Sequence, residues 1–63
     1  MTPAEFRAAR EALGLTQEEF GRELGFTGKP LNIAKSIRRL EAGQREIDGT
    51  LERLVKVRLL FVS

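Results

Sequence analysis

The sequence predicts an all-α domain of four helices, and three observations carry that expectation. Hydroxyl or carboxylate cap residues stand just ahead of apolar-periodic stretches, at Thr2, at Thr16 and at Asp48 or Thr50. Glycines stand where those stretches lose their period, at Gly14, Gly25 and Gly43. No segment alternates apolar and polar residues at the two-residue period of a strand. A chain of 63 residues holds one domain, taken as residues 1–63, with one small core and no cysteine to staple it.

The elements follow in order. Thr2-Pro3-Ala4-Glu5 offers a cap hydroxyl, a proline at the first helical position and a glutamate three residues after the cap, so a first helix is expected over about residues 3–13. Thr16-Gln17-Glu18-Glu19 repeats that box and opens a second helix over 17–24, with Phe20 and Leu24 four residues apart on its apolar side. Residues 26–32, FTGKPLN, hold Gly28 and Pro30 and read as a connection, with Asn32 as the cap of a third helix over 33–42. After the turn AGQRE, Asp48 or Thr50 caps a fourth helix over 49–61.

The third helix divides two chemistries. At about 100° per residue, Ile33, Ile37 and Leu40 share one face, while Lys35, Arg38 and Arg39 cluster on the other. One face is suited to burial and the other to phosphate. A short helix presenting long cations outward is what the major groove admits; the competing reading is a solvated face of a surface helix.

Charge distribution separates the two better than net charge, which is only +2. Residues 1–28 set Arg7, Arg10 and Arg22 against five glutamates, a net of −2. Residues 29–45 set Lys29, Lys35, Arg38, Arg39 and Arg45 against Glu41 alone, a net of +4, and the remainder balances. A basic segment within an otherwise neutral or acidic domain is the footprint of an anionic partner.

Composition also narrows the function classes. Without Cys or His the usual zinc ligands, thiol nucleophiles and imidazole bases are missing, so neither a metal, a cofactor nor an enzyme is expected. Glu18, Glu19 and Glu23 read as a solvated helix face rather than an acid–base pair. The charged N-terminus MTPAEFRAAR does not read as a secretory signal, and the apolar run Leu59–Val62 is too short to span a bilayer. The expected location is the cytoplasm, away from any membrane.

One irregularity links two helices. Phe6, Ala9 and Leu13 form the apolar stripe of the first helix, yet Arg10 projects into the same sector. Glu41 likewise borders the aliphatic face of the third helix. Two opposite charges on two apolar faces are tolerable when they meet, so a largely buried Arg10–Glu41 ion pair is expected, against the reading that each side chain reaches water separately.

The run from Arg10 to Gly43, R-E-A-L-G-L-T-Q-E-E-F-G-R-E-L-G, a connection, then S-I-R-R-L-E-A-G, resembles the helix-turn-helix domains of the Cro and phage-repressor type, often called XRE-like. The resemblance spans about the first fifty residues. It implies a compact four-helix domain of the lambda-repressor-like type, with the third helix in the major groove of double-stranded DNA. It also implies that Arg10 pairs with Glu41, in agreement with the inference above, and that Gln17 touches a DNA phosphate. The chain departs from the family's pattern at two points. Gly21 stands where a small alanine is usual, and the stretch Gly25–Glu41 is several residues longer, which either lengthens the turn or extends the front of the third helix.

The expected function is therefore sequence-specific binding of double-stranded DNA, as a small prokaryotic or phage transcriptional regulator. Lys35, Arg38 and Arg39 are expected to face the DNA, with one arginine gripping guanine O6 and N7. Lys29, Gln17 and Arg45 are candidates for phosphate contact, and Ser36, a further candidate, is ambiguous along with Thr16, since a cap hydroxyl or a helix-face serine needs no ligand to explain it. The fourth helix carries Leu51, Leu54, Val55, Val57, Leu59, Phe61 and Val62 in a stripe wider than one small core needs, interrupted by Arg58. A homodimer through this C-terminal helix is expected to cover it, the competing reading being a central helix with some apolar side chains exposed. The alternative function is a protein-interaction module, an antitoxin or adaptor built on the same scaffold.

Overall fold

The computed structural model describes residues 1–61, which form α1 (Pro3–Ala12), α2 (Gln17–Glu23), α3 (Pro30–Glu41) and α4 (Gly49–Leu60), with no strand among them. The first two helices start on complete capping boxes. The Thr2 hydroxyl accepts from the Glu5 N–H at 3.1 Å while the Glu5 carboxylate accepts from the Thr2 N–H at 2.8 Å. Thr16 and Glu19 repeat the exchange at 3.1 and 2.9 Å. Each box satisfies two backbone donors that a helix start would otherwise leave open. The backbone hydrogen bond from Thr2 also holds the Glu5 carboxyl below its ordinary value. At α4 the cap is Asp48, whose carboxylate accepts from the Leu51 N–H at 2.8 Å, so Thr50 lies inside the first turn instead.

The third helix begins earlier than its sequence pattern suggests. Pro30, not Ile33, opens it, and Asn32 sits in its first turn rather than capping it. The N-cap is Lys29, with no side-chain hydrogen bond; its carbonyl accepts from the N–H groups of both Asn32 and Ile33 at 3.0 Å. Proline at the first position presets φ for the helix and removes one of the donors that a helix start leaves open. The stretch before Ile33 thus goes partly into the front of α3, and the connection is Leu24–Lys29. Phe26 anchors it by packing against the core and donating its N–H to the Gly21 carbonyl at 2.9 Å. Gly28, at φ +117°, turns the chain where a residue with a side chain would be strained.

The core draws one stripe from each helix. Phe6 and Ala9 of α1, Phe20 of α2 with Leu24 just beyond it, Ile33, Ile37 and Leu40 of α3, and Val55 of α4 are buried. Phe6 and Phe20 pack with ring centroids 5.1 Å apart, tilted by 60°. Full burial of each such aliphatic or aromatic side chain contributes about 1.5–3 kcal/mol, and α3 supplies three of them, which fixes its rotation about its own axis. Its main neighbour is α2 and its second is α1.

Gly21 permits the closest part of that packing. A methyl group there would overlap Ile33 Cγ2 and lie 3.2 Å from Ile37 Cγ1. The clash falls on the stiff branch of an isoleucine, so relief requires α2 and α3 to move apart. Gly21→Ala is therefore expected to destabilise the domain by about 1–3 kcal/mol through overpacking, despite alanine's advantage of roughly 1 kcal/mol in helix propensity. Thermal unfolding followed by circular dichroism checks this; an unchanged or raised midpoint would mean that the contact does not set the spacing of the two helices.

Helix α4 is the least embedded element. Val55 is fully buried, and Leu51 and Leu59 pack against the core, while Leu54, Val57, Leu60 and Phe61 remain exposed. Val62 lies outside the described residues. Polar contacts hold the helix in place: Glu52 accepts from the Met1 α-amino group, and Arg58 Nη1 meets Glu23 Oε2 of α2 at 3.0 Å. Arg58 interrupts the apolar stripe because it is a tie between helices. Among the described residues no helix is long and apolar enough to cross a membrane.

Candidate nucleic-acid interface

Helix α3 can display a fixed face because its back and its C-terminal end are held. Its back is in the core, and its last residue, Glu41, receives donors from two other helices. Arg10 Nε of α1 donates to Glu41 Oε2 at 2.6 Å, and Gln17 Nε2, at the start of α2, donates to Glu41 Oε1 at 3.3 Å. Arg10 Nη1 also donates to the Leu15 carbonyl at 3.0 Å. The pair is largely withdrawn from water, with the side chains of Arg10 and Glu41 only 15% and 7% exposed. One carboxylate therefore joins three helices, and every buried side-chain polar atom among the described residues has a partner.

The opposite side of α3 carries Lys35, Arg38 and Arg39, all exposed. None has an acidic partner among the described residues. Lys29 and Arg45, beyond the two ends of the helix, are likewise exposed and unpaired there. The contrast with the rest of the molecule is sharp. Arg7, Arg10, Arg22, Lys56 and Arg58 all sit in ion pairs, which leaves Arg53 as the one cation outside residues 29–45 without a partner among the described residues. Arg38 and Arg39 also fall in the last turn of α3, where the helix dipole favours cations by about 0.3–1 kcal/mol, a reason for basic residues there that needs no ligand. That term does not reach Lys35 or Lys29.

The other candidates are placed less simply. Gln17 is partly buried and engages Glu41, yet it also borders a shallow cleft shared with Leu31, Asn32, Ala34, Lys35 and Arg38. Ser36 turns its hydroxyl back to the Asn32 carbonyl at 3.0 Å, so its proton is used within the helix. Arg45 lies on the turn after α3, beside Gln44 and Glu46, away from that cleft.

Two residues of this face escape the sequence reading. Leu31 and Asn32 belong to the first turn of α3 and are exposed beside Lys35, whereas the pattern of apolar residues places them in the connection. The signal that locates them is the dipeptide Lys29-Pro30, since proline favours the first position of a helix.

Among known proteins, no family model, no curated protein and no solved structure matches this chain.

Proposed function

We propose that this chain binds double-stranded DNA in a sequence-specific manner, as a small transcriptional regulator in which α2, the connection 24–29 and α3 act as a helix-turn-helix unit. The single observation that carries this reading is the unneutralised ridge Lys35, Arg38 and Arg39 on a helix whose other side is locked into the core. Exposed cations on a mobile or rotating helix define no register. Here three buried aliphatics and the Arg10–Glu41 pair hold the ridge in one orientation.

Helix α3 occupies the major groove, with Arg38 or Arg39 gripping a guanine edge and Lys35 beside it. Lys29 and Arg45 lie beyond the ends of a helix of 12 residues, about 18 Å long at 1.5 Å per residue, and the groove is about 12 Å wide. The phosphates that flank the groove on either side are thus within their reach. Gln17 supplies a further phosphate contact from the start of α2. A second copy docks on the exposed apolar side chains of α4, Leu54, Val57, Leu60 and Phe61, and the dimer reads paired half-sites. The same apolar surface favours the second reading, an adaptor that grips a different protein.

Selection from a random duplex library, followed by anisotropy titration of the selected duplex at several salt concentrations, separates the two. With three to five phosphates neutralised per protomer, log Kobs is expected to fall with log salt at a slope of roughly −3 to −5 per protomer, and a palindromic motif is expected to emerge. Failure to enrich any sequence, or affinity indifferent to salt, would end the DNA reading; a stoichiometric protein complex purified in its place would establish the adaptor.

A further inference from the structure

Leu31 is 81% exposed, as much as any large apolar side chain among the described residues, and its place explains that exposure. It is neither among the buried residues of the core nor among the partly buried hydrophobics packed against it. A single exposed leucine is ordinary on a protein surface. This one lies four residues before Lys35 and seven before Arg38, so the three share one outward stripe of α3, with Leu31 at its N-terminal end. The apolar residues of α4 are clustered, whereas Leu31 is surrounded in its cleft by Gln17, Asn32, Lys35 and Arg38, with the small Ala34 as its apolar neighbour.

We infer that Leu31 reads the C5-methyl group of a thymine about three base-pair steps along the groove from the guanine held by Arg38 or Arg39, since the seven residues from Leu31 to Arg38 rise about 10.5 Å along the helix against about 3.4 Å per base pair. The inference rests on the DNA reading above and adds a base to it. A phosphate offers an isobutyl group nothing, and a protein partner would meet one apolar side chain ringed by polar groups and cations. In the major groove, however, the thymine methyl is an apolar group on an otherwise polar floor, and the N-terminal turns of a reading helix, where Leu31 lies, reach base edges. Lys35 and Arg38 on the same stripe then set the distance of approach, and Leu31 supplies a contact that excludes water from one methyl.

The test uses the duplex enriched by the library selection, remade with each thymine replaced in turn by deoxyuridine, which removes the methyl and leaves the hydrogen-bonding edge unchanged. Anisotropy titrations are run with the parent protein and with Leu31→Ala, whose fold is checked by circular dichroism. One position per half-site is expected to weaken binding by the parent about fourfold, the worth of one methyl taken out of water. In Leu31→Ala that difference is expected to vanish, as a double-mutant cycle requires of a direct contact. A parent indifferent to every replacement, or a methyl effect that persists undiminished in Leu31→Ala, overturns the assignment while leaving salt-dependent duplex binding intact. If no duplex is enriched at all, the DNA reading and this inference fall together.

Discussion

Glu41→Ala is expected to remove about 3–5 kcal/mol of stability, the usual loss when one partner of a buried ion pair is deleted. For a chain of 63 residues the whole stability is about 3–9 kcal/mol at 0.05–0.15 kcal/mol per residue, so much of the population is expected to unfold. The cause is local. Arg10 would keep its hydrogen bond to the Leu15 carbonyl but lose the carboxylate that neutralises it, and the Gln17 amide would lose its acceptor. The paired substitution Arg10→Met with Glu41→Leu provides the control. It removes both charges together and is expected to recover most of the loss, because no desolvated charge is left behind. Urea and thermal unfolding of the three proteins measure the difference. A loss below about 1 kcal/mol in Glu41→Ala would place the pair among ordinary surface salt bridges and would take away the lock that orients α3.

The second large effect concerns the ridge itself. A triple substitution of Lys35, Arg38 and Arg39 by alanine is expected to leave the unfolding midpoint almost unchanged, within about 0.5 kcal/mol, because the three side chains are exposed and touch no acidic partner. The same variant is expected to lose duplex affinity by roughly a hundredfold to ten-thousandfold, the combined worth of such contacts at about 1–3 kcal/mol for the base-reading pair plus two phosphate or edge contacts. Single substitutions divide the work. Arg38→Ala or Arg39→Ala is expected to relax preference at one base pair, whereas Lys29→Ala weakens binding to all sequences and makes the salt slope shallower by about one. A triple variant that binds duplex as tightly as the parent would sink the assignment of this face; one that fails to fold would show that the ridge has a structural role instead.

The two outcomes are informative together because stability and proposed binding lie on opposite sides of one helix. Glu41, Ile33, Ile37 and Leu40 hold α3 against the rest of the fold. Lys35, Arg38 and Arg39 are exposed and make no ion pair among the described residues. Substitutions on one side should therefore move the melting curve, and substitutions on the other should move the titration.

Much of this was legible from residues close together in the chain. Thr2 with Glu5 and Thr16 with Glu19 satisfy each other three residues apart, so the starts of α1 and α2 follow from sequence alone. The aliphatic and basic sides of α3 follow from helical spacing, which places each residue on a face before any packing is known. Even the Arg10–Glu41 contact is legible, because each charge stands on a face otherwise suited to burial and an opposite charge makes that tolerable. The start of α3 is not legible from apolar period, because Leu31 and Asn32 in its first turn face water and no side chain caps its start.

What the sequence by itself determined is the local order: four helices, most of their caps, and which side of each is apolar. Only the tertiary structure decided that Gly21 must lack a side chain because Ile33 lies against it, that Arg58 is used up on Glu23, and that the cations of residues 29–45 find no acid to pair with among the described residues. The reason is range. Caps and faces depend on neighbours within about four residues along one helix, whereas partnership between charges and the fit of one helix against another depend on distances across the fold that no local pattern encodes.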